Sequence, residues 1–380
     1  MKENKIKLGG LTWWRYNYGS ILQAYALQEK LNSYPEIDYE IICQYGKKVT
    51  SGSNLIDKLK RYGIIVTAKK IIWKFGFKKL RMRNNKIQAF MDNYLRVSKE
   101  EFKEDSMDIA NDFYDGFVCG SDQIWNPELV GTNSIYWLNF ANKGKIKIAY
   151  APSIGVNSVT EIQAKEIRDN LKDFKAISSR EENGTKLIND VIKEQKCSTV
   201  LDPTMLVDRK IWDNICAENL FKEDYIFVYM LRGTKEQRKF IEKFAKKRRL
   251  KIVTMPFLDA ERIEPYDFVF GDIKLWDADP AEFISAIRYS KYVFTDSFHS
   301  MVFSCLYHKD FFVFPKIGKA QLNRLTTLQK MLKIENRMIK KNTTVEQLEK
   351  VSEIDWKIVD NILLEKRKMS EEFLNNALKK

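Results

Sequence analysis

The sequence is poor in several residue types on which common active sites depend. Its 380 residues include only two histidines and five cysteines. No two cysteines have the Cys-x-x-Cys spacing, and an odd, scattered set argues against a disulfide framework or a structural zinc site. No His-Glu-x-x-His or comparable spacing occurs, so few ligands are available for a metal. We therefore expect no metal, and the cysteine pattern favours the cytoplasm.

Glycine-rich phosphate loops and long hydrophobic runs are also missing. Neither Gly-x-Gly-x-x-Gly nor Gly-x-x-x-x-Gly-Lys-Ser/Thr occurs, which weakens the case for a nicotinamide dehydrogenase or a P-loop NTPase. No uninterrupted apolar run approaches the ~20 residues of a membrane span. The first residues, MKENKIKLGG, lack the apolar segment and cleavage site of a signal peptide. The sequence thus predicts a soluble, cytoplasmic protein.

Positive charge, by contrast, is abundant. A total of 65 Lys and Arg against 51 Asp and Glu gives a formal charge of +14. Each basic run taken singly is best explained as a solvated helix face. Their sum favours an anionic partner, such as a phosphorylated substrate, nucleic acid or an acidic membrane surface.

Short apolar runs alternate with helical patterns along most of the chain, which is typical of parallel sheets with crossover helices. A second such series begins near residue 224, and its strands, such as YIFVYML and YVFTD, are almost wholly apolar. Strands covered on both faces have this composition. We predict an α/β protein with two Rossmann-like, doubly wound domains at residues 1–205 and 206–355, followed by a helical segment at 356–380. A cleft between the domains is the expected ligand site.

One segment of the first domain differs from the rest. Residues 57–86 mix Ile, Leu, Trp and Phe with many Lys and Arg, and their only acid is Asp57. A basic amphipathic segment can lie on an anionic membrane surface. A helical pair that packs on the first domain with its basic face in water explains the same pattern somewhat better.

Four polar clusters follow predicted strands, where doubly wound sheets bind their ligands. The first is RYNYGS at residues 15–20. Asn17 and Gly19 suit a tight turn, and Ser20 suits a helix cap. A ligand contact by Asn17 or Tyr18 is a secondary possibility.

The second cluster, GSDQIWNP at residues 120–127, follows the strand GFVC. Its first residues could simply cap a helix. Aromatic faces with carboxylate and amide groups are, however, common ways to hold a sugar. A sugar site and a plain turn explain the loop about equally well. The residues concerned are Asp122, Gln123, Trp125 and Asn126.

The third cluster is SSRE at residues 178–181. Arg180 closes a strand and precedes an acidic helix start. A guanidinium there can hold a phosphate or a carboxylate through two parallel hydrogen bonds. It could equally pair with Glu181 or Glu182 on the surface.

The fourth cluster is TDSFHS at residues 295–300. Asp296 ends a strand, Ser297 is a possible cap, and His299 follows on the first turn of a helix. An imidazole at such a position can be tuned into an acid or a base. A lone histidine is usually a satisfied core residue, but this first helical turn faces the ligand edge of the sheet.

Together, these clusters resemble the polysaccharide pyruvyl transferase family in order and spacing over most of the chain. The matching segments are NYGSILQAYALQEKL, GFVCGSDQIWNP, KIAYAPSIG, ISSREENG, LDPTMLV, YVFTDSFHSMVFSCL and QLNRLTTLQKMLKIENRM. The resemblance implies a fold like that of the GT-B glycosyltransferases. It also implies transfer of a pyruvyl group from phosphoenolpyruvate to a sugar of a glycan precursor, commonly as a ketal on two hydroxyls. No cofactor is implied, because phosphoenolpyruvate is a substrate.

The resemblance also implies roles for individual residues. His299 would protonate the methylene carbon of phosphoenolpyruvate, with Asp296 as its orienter. The donor would be bound by Arg180, Ser297, Asn323 and Arg324. The acceptor would contact Asn17, Tyr18, Asp122, Gln123, Trp125 and Ser153.

The sequence departs from the family pattern at three points. Some members carry Arg at the position of Ser297, many follow the histidine with Gly where this chain has Ser300, and LNRL lacks the serine between Asn323 and Arg324. Without a cation at Ser297, another residue must supply the charge that holds the donor. Arg180 is the first candidate.

Two other functions stay open. One is a glycosyltransferase that uses a nucleotide sugar on the same fold. The other is a non-enzymatic binder of nucleic acid or anionic surfaces, which predicts steep salt dependence and indifference to His299; of these partners, nucleic acid is the less expected. A variant of the first function has the acceptor on a lipid diphosphate at the inner membrane face, next to the basic segment.

Overall fold

The chain folds into two parallel sheets that face each other across a cleft. The computed structural model describes residues 5–15, 17–44, 78–257, 263, 265–315 and 319–379, except for the side chains of residues 319–323. Within these residues, the sheets contain seven and five strands. The predicted α/β class with two doubly wound, Rossmann-like halves is thereby confirmed.

The seven-stranded sheet belongs to the N-terminal half. Its strands are β1 (Ile6–Leu11), β2 (Ile37–Cys43), β3 (Val97–Glu101), β4 (Gly116–Cys119), β5 (Ile146–Ala149), β6 (Ala176–Ser179) and β7 (Cys197–Thr199). They lie in the order β3-β2-β1-β4-β5-β6-β7. The helices of this half are α1 (Tyr18–Asn32), α2 (Lys78–Tyr94), α3 (Glu161–Leu171) and α4 (Glu182–Ile192), with 3₁₀ helices at Glu104–Asp112 and Ile135–Trp137.

Two short helices, α5 (Pro203–Leu206) and α6 (Arg209–Ile215), lead to the C-terminal half. Its strands are β8 (Tyr225–Tyr229), β9 (Lys251–Thr254), β10 (Ile273–Lys274), β11 (Tyr292–Thr295) and β12 (Asp310–Val313), in the order β10-β9-β8-β11-β12. The remaining helices are α7 (Lys235–Arg248), α8 (Pro280–Arg288), α9 (Phe298–Leu306), α10 (Lys319–Leu332), α11 (Val345–Leu348) and α12 (Trp356–Leu378), with 3₁₀ helices at Pro265–Phe268 and Glu335–Arg337. The predicted boundary at residue 205 falls between the two sheets.

The strand β11 shows why the central strands are so apolar. It pairs in parallel with β8 on one side and with β12 on the other, so that Phe294 lies between Val228 and Phe312. All three side chains are buried. Because β11 is buried on both faces, polar side chains appear only beyond its last residue, where the sheet ends.

One apolar core extends across both halves. Tyr18 of α1 stacks on Phe283 of α8 with 5.1 Å between ring centroids, and Tyr229 lies 5.9 Å from the same tyrosine ring. The hydroxyl of Tyr18 donates to the carbonyl of Ala278 at 2.7 Å and accepts from Nε of Arg83 at 2.9 Å. The first turns of α1 are therefore fixed against the second half.

The predicted basic segment is covered only in part. Residues 57–77 lie outside the described residues, whereas residues 78–86 begin α2. Two lysines of α2 form ion pairs with the C-terminal half: Lys79 with Asp277 at 3.3 Å and Lys86 with Glu282 at 2.9 Å. This part of the segment therefore contacts protein on the cleft side of the first half.

The last helix, α12, returns to the N-terminal half. Its Ser370 accepts a hydrogen bond from the N–H of Leu201 at 2.9 Å, and Nε of Arg367 donates to the carbonyl of Met205 at 2.6 Å. Leu374 is fully buried. None of the helices in the described part of the chain combines the length and apolar character needed to cross a membrane.

Candidate active site

Charged side chains from both halves converge where the two sheets face each other. Arg180 follows β6, and Asp202 follows β7 as the N-cap of α5. From the second half come His299, on the first turn of α9, and Arg324, on α10. All four are at least nine-tenths buried. Arg180, Asp202 and His299 lie just beyond the carboxyl ends of parallel strands, where folds of this kind bind their ligands. Arg324 reaches the same region from a helix.

Arg180 is held by two carboxylates but not saturated by them. Its Nη1 donates to Oδ2 of Asp202 at 2.7 Å, and its Nε donates to Oε1 of Glu181 at 3.1 Å. The guanidinium also lies over the ring of Phe298, 4.5 Å from the centroid. Nη2 of Arg180 is buried without a hydrogen-bond partner among the described residues. One edge of this guanidinium is therefore fixed and another is left for a ligand.

Asp202 is the carboxylate that connects this arginine to His299. It is fully buried and accepts further hydrogen bonds from Ser121 and from Thr204. Burial alone raises the pKa of Asp202, but Arg180, His299 and the bond from Thr204 outweigh it and hold that pKa at about 2. Asp202 is therefore ionised at neutral pH.

His299 is enclosed between Asp202 and the first turn of α1. Its Nε2 lies 3.8 Å from Oδ2 of Asp202, too far for a hydrogen bond, and has no partner within the described part of the chain. The ring also packs against Gly19, where an added Cβ would lie 2.0 Å from Nδ1. The histidine of one half thus touches a backbone position of the other.

Burial dominates the electrostatics of the histidine. It lowers the pKa of His299 below the usual 6.5, and Arg180 and Arg324 lower it further, whereas Asp202 and Asp122 act in the opposite direction. Burial, with Arg180 nearby, likewise lowers the pKa of Arg324. The imidazole is therefore neutral at pH 7 in the free protein. A bound anion would raise its pKa.

Several buried polar atoms of this region have no hydrogen-bond partner among the described residues. They are Nη2 of Arg180, Nε of Arg324, Nε2 of His299, Oε2 of Glu181, and the hydroxyls of Ser153 and Ser300. Buried polar atoms are almost always bonded, so such a group of exceptions in one place indicates a ligand. Three of these residues, Arg180, Glu181 and Arg324, line a cavity of about 400 Å³ together with Asp202 and Phe298 among others.

Asp296 is not the partner of His299 that the sequence suggested. Its carboxylate accepts the backbone N–H groups of Leu231 at 2.6 Å and Arg232 at 2.8 Å, which fixes the loop after β8. The carboxylate within 4 Å of the imidazole is Asp202. The expected pairing of Asp296 with His299 is therefore corrected. Asp296 instead holds a loop of the second half in place.

Ser297 caps α9, and its hydroxyl accepts the N–H of Ser300 at 3.5 Å. It therefore sets the direction in which the first turn of this helix presents His299. Arg324 reaches the cavity, whereas the side chain of Asn323 lies outside what the structure describes. Its predicted donor contact stays a prediction.

The first predicted acceptor cluster, residues 15–20, has mainly structural roles. Asn17, rather than Ser20, caps α1, and its Oδ1 accepts the N–H of Ser20 at 2.7 Å. Tyr18 is 1% exposed and bonded at the contact between the halves. Of the two residues predicted to contact a ligand, Asn17 lines a second cavity of about 640 Å³, whereas Tyr18 does not.

The loop at residues 120–127 is a tightly packed turn. Asp122 has a left-handed backbone (φ 76°), and its Oδ2 accepts the hydroxyl of Ser20 at 2.6 Å. Trp125 is fully buried and stacks on Trp137 with 4.7 Å between centroids. Because both its faces and its edges are covered, Trp125 belongs to the core, which corrects its predicted place at the acceptor.

Gln123 and Ser153 flank this turn. Oε1 of Gln123 accepts from Asn126 at 3.3 Å, and the N–H of Ser153 donates to the carbonyl of Asp122 at 2.8 Å. Within the described residues, no group of three or more His, Cys, Asp or Glu side chains is placed to hold a metal ion. The charge of Asp122 acts on His299, and the hydroxyl of Ser153 is buried without a partner in the described part of the chain.

Comparison with known proteins bears on the family and the fold of the chain. The polysaccharide pyruvyl transferase family model matches residues 17–315. No functionally curated protein matches the sequence significantly. Among solved structures, the UDP-N-acetylglucosamine 2-epimerase from Rickettsia bellii has a TM-score of 0.59 at 11% identity, over 99% of this chain and 96% of its own. The UDP-GlcNAc 2-epimerase from Methanocaldococcus jannaschii has a TM-score of 0.50 at 14% identity, over 93% of each chain.

At such low identity these structures speak only for the fold, which is the predicted GT-B architecture. The family model is the more specific finding, because it spans most of the chain and includes the elements that carry Arg180 and His299. The protein belongs to the polysaccharide pyruvyl transferase family.

Proposed function

We propose that this protein transfers a pyruvyl group from phosphoenolpyruvate to two hydroxyls of a sugar and releases phosphate. The observation that carries the proposal is the convergence of Arg180 and Arg324, from opposite halves, on one cavity. Each guanidinium is buried and retains a nitrogen without a partner in the described part of the chain. Phosphate and carboxylate groups both suit guanidinium donors, and phosphoenolpyruvate carries one of each.

His299 has the properties of the acid that this reaction needs. Its imidazole is neutral in the free protein, because burial lowers its pKa. A bound phosphate raises the pKa of a neighbouring imidazole, so donor binding favours the imidazolium. That proton passes to the methylene carbon of phosphoenolpyruvate, and the adjacent carbon becomes electrophilic. Asp202 stabilises the imidazolium from 3.8 Å away.

The remaining steps balance without a cofactor. One sugar hydroxyl bonds to the electrophilic carbon and loses its proton, and the bond from that carbon to the phosphate oxygen then breaks. The second hydroxyl bonds to the same carbon and loses its proton, which closes the ketal. One diol and one phosphoenolpyruvate thus give one ketal and one phosphate.

The acceptor is defined only by class. The family description names polysaccharide, and a lipid-diphosphate-linked precursor with peripheral membrane contact stays a prediction from residues 57–86. A glycosyltransferase that uses a nucleotide sugar is the alternative on this fold. It predicts binding of nucleotide sugars and no consumption of phosphoenolpyruvate.

The test is incubation with phosphoenolpyruvate and a panel of acceptor sugars, with phosphate release and the mass gain of the sugar as readouts. Arg180→Ala and Arg324→Ala should each raise the KM for phosphoenolpyruvate by about 10- to 100-fold, the effect of a lost charge-assisted hydrogen bond. Arg209→Ala is the control, since its side chain is exposed in α6. No phosphate release with any acceptor, together with a thermal shift from nucleotide sugars alone, would contradict the proposal.

A further inference from the structure

Glu181 is buried beside the donor arginine in a way that a structural ion pair does not explain. Its side chain is 10% exposed, and only Oε1 meets Nε of Arg180, at 3.1 Å. In structural pairs the carboxylate and the guanidinium often satisfy each other through two parallel bonds. Here Nη1 of Arg180 turns to Asp202 instead. Oε2 of Glu181 is left buried with no partner in the described residues.

Helix capping does not account for this residue either. Glu181 occupies the N-cap position of α4, where side-chain oxygens usually accept a backbone N–H of the first turn. Its carboxylate makes no such bond. The side chain therefore does not bond to the backbone N–H groups of the first helical turn. It is turned toward Arg180 and the cavity instead.

The same cavity contains the two arginines assigned to the donor. Glu181 lines it together with Arg180 and Arg324. An unpaired carboxylate oxygen repels the anionic donor, whereas it accepts a hydrogen bond from a neutral hydroxyl. The cavity thus combines nitrogen donors that suit an anion with an oxygen acceptor that suits a hydroxyl group.

We propose that Oε2 of Glu181 binds the attacking hydroxyl of the acceptor sugar and takes its proton. The inference rests on the transfer reaction proposed above. As the hydroxyl oxygen bonds to the electrophilic carbon, its proton passes to Glu181, while the proton on the methylene carbon has come from His299. Glu181 therefore acts on the acceptor and His299 on the donor. The reacting hydroxyls lie in this cavity and not at the loop of residues 120–127.

Glu181→Gln tests the assignment with little change of shape. The amide oxygen can still accept from Nε of Arg180, so donor binding should be retained, but the amide cannot take a proton. We expect kcat to fall by about 10²- to 10⁴-fold, the usual contribution of a general base. The KM for phosphoenolpyruvate should not rise, and the thermal shift that it produces should not shrink, because the amide no longer repels the anionic donor. Glu194→Gln is the control, because this glutamate is exposed and does not line the cavity.

The pH profile separates a base from a structural residue. A general base gives the wild-type kcat an acid limb, because it is inactive once protonated. This limb should be missing in Glu181→Gln and present in Glu194→Gln. The phosphate of the donor protonates near pH ~6 in every variant, so the comparison between variants isolates the glutamate. Glu181→Asp, which keeps the carboxylate but shortens it, should retain the acid limb at a reduced rate.

Three outcomes would overturn the inference. The first is an acid limb in Glu181→Gln with a kcat close to that of the wild type. The second is loss of the phosphoenolpyruvate thermal shift in Glu181→Gln, which would give the residue only a role in positioning Arg180. The third is a wild-type protein that releases no phosphate, which removes the transfer reaction itself. Only the third outcome touches the proposed function.

Discussion

Gly19 offers a direct test of the contact between the two halves at His299. A Cβ built on Gly19 would lie 2.0 Å from Nδ1 and 2.5 Å from Cγ of His299, whereas real Cβ contacts are not shorter than 3.0 Å. Alanine at this position must therefore displace the ring or α1 by at least about 1 Å. A displacement of that size in a catalytic group costs on the order of 100-fold in rate.

The backbone itself can accept alanine at this position. Gly19 lies in the first turn of α1, and its φ is not in the left-handed region. Alanine is intrinsically favoured over glycine in a helix by up to about 1 kcal/mol. In Gly19→Ala, this gain is opposed by the clash with the imidazole. In a His299→Ala background the clash is absent, and the same substitution should stabilise the protein.

Urea unfolding of the four proteins of this cycle measures the coupling between the two positions. Phosphate release measures the catalytic effect, which we expect to be a loss of about 100-fold in Gly19→Ala at an unchanged fold. Equal stability changes in both backgrounds, or a wild-type rate in Gly19→Ala, would refute the proposed contact.

Three further predictions concern charge and the contact between the halves. The chain has two histidines, so the NMR signal of His299 can be assigned by its loss in His299→Ala; it should titrate below pH 6.5 in the free protein and at higher pH when inorganic phosphate is added. Asp202 has a folded-state pKa of about 2 against 3.8 in the unfolded chain, so it contributes roughly 2 kcal/mol above pH ~4 that is lost as the pH falls toward 2; urea unfolding of Asp202→Asn should show a correspondingly smaller loss over that interval. Arg83→Met removes the hydrogen bond to the buried hydroxyl of Tyr18 and should lower the free energy of unfolding by about 1–3 kcal/mol, whereas the exposed Arg81→Met should leave it within about 0.5 kcal/mol of the wild type.

The central strands could be predicted from the sequence because burial on both faces leaves an apolar run. β3 and β10 could not. β3 (Val97–Glu101) contains Lys99, Glu100 and Glu101, all exposed, and β10 has two residues. Both lie at sheet edges, where charged and short strands discourage pairing with another chain. The pattern that reveals a central strand is therefore absent from an edge strand.

The sequence could predict only those residues of the candidate site that directly follow a strand. Arg180 and His299 have that position in the sequence. Asp202 has it too, but its pairing with Arg180 depends on the adjacency of β6 and β7, which places Ser179 opposite Thr199. No local pattern specifies such a neighbour.

Trp125 shows the reverse limit of prediction from the sequence. Its residue type and its polar neighbours suit a sugar site, but the stacking partner Trp137 arrives from a later part of the chain and covers it. Which face of a side chain is covered is decided by tertiary packing. A residue type alone therefore cannot distinguish a binding face from a core contact.

The return of α12 to the N-terminal half means that the chain crosses between the halves twice. The first crossing follows β7, and the second leads into α12, which is anchored at Leu201 and Met205. The halves are thus joined by two lengths of chain and by one shared apolar core, so the placement of Arg180 opposite Arg324 does not depend on a single linker.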